Sequence, residues 1–171
     1  MSKLDEMRKH TVCFTGHRQM KEPTLQIEQQ VEAIVEKLIQ QGYRYFGAGG
    51  ARGFDALASE TVLKLKAVYP QIHLILVLPF DEQYSHERNW TQAEIEQYHR
   101  LKDRASKIVV LADEYRPGIY YRRNRHLVNH SSICIAYMTR AKGGTSYTVN
   151  YARAKGLEVV NTTSKQSAFA K

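Results

Sequence analysis

The composition gives little support to disulfides, metal centres or membrane spans. The chain has two cysteines among its 171 residues, and Cys13 and Cys134 each lie inside an apolar, strand-like run rather than in a spaced pair. This placement predicts two buried free thiols and neither a disulfide nor a metal site. Apolar runs such as Leu74–Phe80 fall far short of the roughly 20 residues that span a bilayer. Residues 1–10 also lack the apolar segment of a secretory signal, so we expect a cytoplasmic protein that does not enter membranes.

Acidic residues are scarce in the second half of the chain. Residues 1–85 contain ten basic and ten acidic side chains, whereas residues 86–171 contain 15 Lys and Arg against 7 Asp and Glu, so this half carries the whole formal charge of +8. Such an imbalance is typical of a surface that meets an anion, whether a nucleotide, a nucleic acid or an acidic partner. A basic surface that only keeps the protein soluble explains the composition equally well.

Short apolar runs alternate with longer amphipathic stretches along the chain. This alternation predicts one α/β domain over residues 1–171, a doubly wound, mostly parallel sheet with helices on both faces and peripheral tails at 1–9 and 163–171. Ligands of such folds bind beyond the carboxyl ends of the strands, where the strand order reverses. The strands are predicted at residues 11–15, 43–46, 72–78, 107–112, 133–138 and 157–160. The helices are predicted at residues 24–41, 54–69, 91–105, 120–130 and 143–155.

Three turns that contain glycine lie at predicted strand ends, where a ligand would bind. Each combines flexible main chain with hydroxyl or charged side chains, and two of them open a helix whose N-terminal N–H groups attract anions. An ordinary turn or a helix cap explains each of them as well. The predicted ligand contacts are Thr15, Gly16, His17 and Arg18 in the first turn, Gly49, Gly50, Arg52, Gly53 and Asp55 in the second, and Gly143, Gly144 and Thr145 in the third.

A run of aromatic and basic residues, Tyr120–His126, occupies a predicted helix between the second and third turns. Aromatic rings beside arginines suit the bases and phosphates of a nucleotide or of a single-stranded nucleic acid. Charged runs are usually solvated helix faces, and this interpretation stays open. Arg123, Asn124 and Arg125 are the predicted ligand contacts of this segment.

Other chemistries have weaker support from the sequence. His126 and His130 share a helix face but have no evident third ligand, so no metal site is predicted. The glycines at 47–53 lack the spacing of a dinucleotide fingerprint and the Gly-Lys-Ser/Thr ending of a P-loop, so no nicotinamide or ATP cofactor is identified. The sequence leaves open whether a ligand would require magnesium. His17 and Asp55 are the candidates for acid–base catalysis, because both lie close to strand ends.

Several of these segments resemble known families. Gly49–Asp55 resembles the Gly-x-Ala-x-Gly-Ile-Asp loop of the DNA-processing protein DprA (Smf), and Arg123–Ser131 resembles the Arg-Asn-Arg-Ile segment of that family. Gly143–Thr145 follows in the same order, and Thr15–Arg18 is most similar to the small, uncharacterised bacterial and prophage proteins of the YoqJ and YpsA type. Over nearly its whole length the chain resembles the SLOG superfamily, a Rossmann-like group that joins DprA to the LOG phosphoribohydrolases.

The resemblance implies a nucleotide or nucleotide-derived ligand in a crevice formed by these loops. Arg18 and Arg125 would then act as charged clamps, and Asp55 would accept a hydrogen bond from a sugar hydroxyl or position a cation. Homodimers are common in the superfamily, so the resemblance also implies a homo-oligomer.

Two alternatives remain open beside this binding role. The first is a nucleotide hydrolase that uses His17 or Asp55 to activate water. The catalytic glutamate of LOG enzymes corresponds to Thr148 here, and the proline of the LOG motif is absent, which argues against the LOG reaction. The second is single-stranded nucleic-acid binding of the DprA type, through the arginines at 122, 123 and 125.

Overall fold

The computed structural model describes residues 2–21 and 23–163, so most of the tail predicted at 163–171 lies outside the described residues. Residues 3–9, predicted as the other tail, form a helix with no buried residue. No helix in these two ranges is both long and apolar enough to cross a membrane. The helices are α1 (Lys3–Lys9), α2 (Thr24–Gln40), α3 (Phe54–Lys66), α4 (Gln92–Arg104), α5 (Ile119–Asn129), α6 (Gly144–Ala154) and a 3₁₀ turn at Gln83–Ser85. The strands are β1 (Thr11–Gly16), β2 (Tyr45–Ala48), β3 (His73–Phe80), β4 (Lys107–Ala112), β5 (Ile133–Tyr137) and β6 (Glu158–Asn161).

The six strands form one parallel sheet in the order β4-β3-β2-β1-β5-β6. This arrangement confirms the prediction of a doubly wound, Rossmann-like α/β fold. The chain runs outward from β1 through β2 and β3 to β4, and then returns to β5 on the other side of β1. The connections that follow β1 and β5 therefore leave in opposite directions and open a crevice at the carboxyl ends of these strands.

Helices cover both faces of the sheet because alternate strand residues point to opposite sides. From β1, Val12 and Phe14 pack with the apolar stripe of α2 and with residues of α3 and α4 in the larger core cluster. Cys13 points to the other face and packs with Leu127 of α5. Cys13 and Cys134 are direct neighbours on β1 and β5, and both are buried free thiols as predicted.

Candidate functional site

A cleft of about 300 Å³ lies where the loops after β1, β2 and β5 meet the N-terminal half of α5. It occupies the point where the strand order reverses, which is the place the fold predicts for a ligand. The predicted contacts that line it are Thr15, Gly16, His17, Arg18, Arg52, Asp55, Arg123, Asn124, Gly143, Gly144 and Thr145. The predicted contacts outside its lining are Gly49, Gly50, Gly53 and Arg125.

His17 connects the loops on the two sides of the cleft. Its backbone N–H donates to Tyr137 O at the end of β5, and its carbonyl accepts from Phe54 N at the start of α3, both at 3.2 Å. The imidazole Nε2 accepts a hydrogen bond from Thr139 N at 2.9 Å, so the proton of the neutral ring lies on Nδ1. Burial and, less strongly, the charge of Arg140 lower the pKa of His17. The ring is therefore neutral at pH 7, and its Nε2 lone pair is already used.

Arg18 lies at the mouth of the cleft and is held by the loop that follows β3. Its guanidinium pairs with Glu87 and lies over the Tyr120 ring, 5.6 Å from the centroid. Glu87 also accepts from Trp90 Nε1 at 3.1 Å and from Tyr120 Oη at 3.3 Å. Burial and then the Glu87 charge raise the pKa of Tyr120 to about 12, so its hydroxyl keeps the proton that it donates. Arg18 is thus positioned by an anion that belongs to the protein itself.

The glycines of the second turn allow close packing beneath the cleft. A Cβ atom on Gly49 would lie 2.5 Å from Arg123 Nη1, and one on Gly50 would lie 2.8 Å from Gln83 Nε2. The Gly49 carbonyl accepts hydrogen bonds from both of these side chains, with the Gln83 bond at 3.1 Å. Gly53 packs in the same way against the backbone of Arg18. These contacts explain three glycines without assigning them to a ligand.

Among the described residues that line the cleft, Asp55 is the one with an acidic side chain. Its Oδ2 accepts from Gly49 N at 3.2 Å. Burial raises the pKa of the Asp55 carboxyl, while Arg123 and the N–H groups of Gly49 and Ala51 oppose that shift. Burial likewise lowers the pKa of Arg123, and the Asp55 charge opposes it. The two buried groups therefore stabilise each other's charged forms at the floor of the cleft.

The third turn presents an uncapped helix N-terminus to the cleft. Gly143 is the N-cap of α6, no side chain caps the first turn, and the first turn holds no acidic residue. Thr145 is a largely buried residue that lines the cleft and carries a hydroxyl group. Arg140 and Lys142 are exposed beside it and make no ion pair with any described residue. Free N–H groups, a hydroxyl and two cations together form a surface that attracts an anion.

This combination of fold and strand-end loops is matched by known proteins. The model of the YspA SLOG family matches residues 12–165. The chain belongs to this family. The uncharacterised SPbeta prophage-derived protein YoqJ of Bacillus subtilis is 30% identical over an alignment of 148 positions, which covers 78% of this chain and 85% of YoqJ.

Two solved structures share the fold of this SLOG chain at low sequence identity. DprA of Helicobacter pylori, described for its single-stranded DNA binding mode, superimposes with a TM-score of 0.64 at 19% identity over 93% of this chain and 67% of that protein. DprA of Streptococcus pneumoniae gives a TM-score of 0.65 at 18% identity over 91% of this chain and 50% of that protein. These likenesses confirm the architecture predicted from the resemblance to the SLOG superfamily.

Several residues of the SLOG cleft are absent from the predicted set. Arg140 and Lys142 directly precede the third turn, so the strand-end rule itself points to them. Arg125, the predicted clamp, lies outside the cleft lining and donates to Tyr147 Oη at 3.1 Å. Glu87 carries no sequence signal, because its role depends on a contact with Arg18 69 residues away. The lining residues that the prediction omitted are Phe14, Gln19, Ala51, Tyr120, Arg140 and Lys142.

Cationic side chains and main-chain N–H groups outnumber carboxylates in the described lining of the cleft. Among residues 2–21 and 23–163, no three His, Cys, Asp or Glu side chains lie close enough together to hold a metal ion between them. The Asp55 carboxylate already accepts main-chain hydrogen bonds. The residues able to hold a cofactor phosphate are therefore those around the N-terminus of α6.

We expect the free energy of unfolding to fall as the pH decreases from about 7 to about 5. Burial lowers the pKa of His17, His73 and His126 below their ordinary value of 6.5, so the unfolded chain takes up protons first. The variant His17→Gln, which keeps an acceptor for Thr139, should flatten this slope by part of the maximum of about 1.4 kcal/mol per pH unit for one group. Urea denaturation at several pH values measures the slope. The variant His99→Gln, at an exposed position, is the control. An unchanged pH dependence of the unfolding free energy in His17→Gln would contradict the contribution assigned to His17.

Proposed function

We propose that this SLOG protein binds a nucleotide or a nucleotide-derived ligand in the cleft at the carboxyl ends of β1, β2 and β5. The observation that carries the proposal is the uncapped N-terminus of α6, which borders the cleft together with Arg140 and Lys142. Helix N–H groups and nearby cations are the usual partners of a phosphate. The volume of about 300 Å³ lies at the lower end of the range of small-molecule sites and suits a ligand of mononucleotide size.

The other lining residues suit the remaining parts of such a ligand. Thr145, a largely buried residue that lines the cleft, would donate from its hydroxyl to a phosphate oxygen. Asp55 would accept a hydrogen bond from a sugar hydroxyl, since its carboxylate is fixed at the floor of the cleft. The Tyr120 ring offers an aromatic edge at the mouth, where Arg18 and Arg123 already lie 5.6 and 5.8 Å from its centroid.

The variant Lys142→Gln should weaken binding of a phosphorylated nucleotide roughly tenfold, because a charge-assisted hydrogen bond contributes about 1.5 kcal/mol or more. The measurement starts with thermal-shift screening against nucleosides, mono-, di- and cyclic nucleotides, dinucleotides and ADP-ribose, each with and without magnesium. Isothermal titration of the best compound into wild type and Lys142→Gln then gives the affinities.

The matched control is Lys155→Gln, which removes a lysine from the far end of α6. Lys155 lies over the Tyr151 ring, 5.5 Å from its centroid, and outside the cleft lining. Equal affinities in all three proteins would contradict a phosphate at the N-terminus of α6. A panel in which no nucleotide raises the melting temperature would contradict the proposed function itself.

Binding of single-stranded nucleic acid is the second candidate. It is supported by the same unpaired cations and by the described DNA-binding mode of the Helicobacter pylori neighbour. Arg122 is exposed, but Arg123 is buried beneath the cleft and Arg125 bonds to Tyr147, so these three arginines do not form one surface. The test is the affinity for an oligonucleotide at several salt concentrations. Replacing both Arg140 and Lys142 with glutamine should reduce the slope of log affinity against log salt concentration by the amount expected for about two phosphate contacts.

A hydrolytic role has less support from the geometry. The Nε2 lone pair of His17 accepts the Thr139 N–H, so this nitrogen is not available as a general base in this arrangement. Thr148, at the position of the LOG glutamate, is buried and donates to Gly144 O at 2.8 Å. Product analysis with each nucleotide that binds would detect any turnover, and loss of that turnover in His17→Gln would restore the catalytic interpretation.

A further inference from the structure

A second surface lies on the edge strand β4, which is separated from β2 and its cleft loop by β3. β4 has the sequence Lys-Ile-Val-Val-Leu-Ala, yet Ile108 and Val110 are 38% and 48% exposed. Strands of parallel sheets are normally covered by helices on both faces. Tyr98 and Leu101 of α4 pack in one cluster with Leu76 of β3, so this helix covers the neighbouring strand and leaves β4 open.

The two edges of the sheet differ in how they are protected. β6 has four residues, begins with the exposed Glu158, and has its Asn161 amide bonded to Met138 O at 3.1 Å. Charge, shortness and bonds from side chains are the usual protection of an edge strand. β4 is longer and apolar, and no strand of the described chain pairs with its outer side. Unpaired N–H and C=O groups beside exposed apolar side chains are a template for another strand.

We propose that β4 pairs antiparallel with β4 of a second copy of this chain, around a two-fold axis at Val110. In this register Ile108 faces Ala112 of the second copy and Val109 faces Leu111, so apolar side chains meet on both faces of the joined sheet. A two-fold axis makes the same strand serve both partners, which is the commonest symmetry of protein dimers.

The charges at the two ends of β4 favour a second copy of this chain as the partner, and they favour the antiparallel orientation. Lys107 begins the strand and Asp113 follows its last residue; both are exposed, and neither makes an ion pair within residues 2–21 and 23–163. In the proposed register Lys107 lies opposite Asp113 of the second copy, twice per dimer. Opposite charges across an antiparallel pair stabilise it, whereas a parallel pair of β4 strands would place like charges together.

An apolar groove borders β4 on the other face of the sheet, opposite to Ile108 and Val110. It has a volume of about 130 Å³ and is lined in part by Val109 of β4, Leu127 of α5, and Leu4 and Met7 of α1. Leu4 is itself 69% exposed. A second copy seated against β4 would shield this side of the edge strand as well.

The test is the solution mass of the full chain and of matched variants, by light scattering and sedimentation at concentrations up to about 100 µM. Wild type should have about twice the chain mass of 19.7 kDa. Val110→Lys should be monomeric but folded, with the circular-dichroism spectrum of the wild type, because it places two lysines against each other at the axis. Val68→Lys, at a valine that is 69% exposed outside any strand, should remain dimeric.

A charge exchange tests the register independently of any effect of Val110→Lys on folding. Lys107→Glu should weaken the dimer at least several-fold, and adding Asp113→Lys to the same chain should restore it. A monomeric wild type would overturn the proposal, and so would a dimer that survives both Val110→Lys and Lys107→Glu. Failure to restore the dimer by charge exchange would overturn the register. None of these outcomes depends on whether the cleft binds a nucleotide.

Discussion

Replacing Gly53 with alanine is expected to lower the free energy of unfolding by about 3 kcal/mol or more. Gly53 has φ 79° and ψ −126°, a backbone conformation that residues with a Cβ atom rarely adopt. Its Cβ would also lie 2.6 Å from both the carbonyl carbon and the Cα of Arg18, and backbone atoms cannot move aside as a flexible side chain can. Backbone strain and overpacking each contribute roughly 1–3 kcal/mol. Urea denaturation of wild type and variant measures the difference.

Gly118→Ala is the matched control for this prediction. Gly118 is also a helix N-cap with a positive φ, 81°, but a Cβ there would meet no atom within 4 Å. Its substitution should cost about 1 kcal/mol, from the left-handed backbone alone. Equal losses at the two positions would mean that the contact between Gly53 and Arg18 has no role in holding the first turn against α3.

The architecture follows from signals that are local in the sequence. The alternation of apolar strands and amphipathic helices depends on residues a few positions apart, and all six predicted strands occur in the structure. Because carboxyl ends of parallel strands share one edge, the sequence also places the three turns near one another. The helix at 3–9 was missed because it buries no residue and so carries no apolar stripe.

Which of the predicted site residues face the cleft, and which pack against the rest of the protein, depends on tertiary contacts that no local sequence pattern shows. The second and third turns are both rich in glycine. The second turn packs against Arg123 and Gln83, whereas the third turn faces the cleft. Glycine composition alone cannot separate these uses, since both require the absence of a Cβ atom or a positive φ. Arg123 and Arg125 are likewise two positions apart on α5, yet one is buried and the other lies outside the cleft lining.

Replacing Arg123 with methionine is expected to cost about 3–5 kcal/mol of unfolding free energy at neutral pH and to abolish ligand binding. Methionine has similar length but removes the charge of Arg123, which opposes the raised pKa of the buried Asp55 carboxyl, and a buried carboxylate that loses such compensation is costly. The variant also removes a donor from the Gly49 carbonyl and the bond from Arg123 Nε to Asn124 Oδ1 at 2.7 Å. Urea denaturation and the titrations described above measure both effects.

The pH dependence of this loss identifies Asp55 as its cause. Burial already raises the pKa of Asp55 above its ordinary value of 3.8, and without Arg123 the pKa should rise further. When folding raises the pKa of a carboxyl, the free energy of unfolding falls as the pH increases between the unfolded and the folded pKa. The loss of unfolding free energy in Arg123→Met should therefore be smallest at acid pH. Arg125→Met, on the same helix, should cost about 1 kcal/mol at every pH, since only the bond to Tyr147 is lost. Adding Asp55→Asn to Arg123→Met should recover unfolding free energy at neutral pH. A loss of unfolding free energy that stays constant with pH, and that remains after this second substitution, would assign the effect to the Gly49 and Asn124 contacts instead.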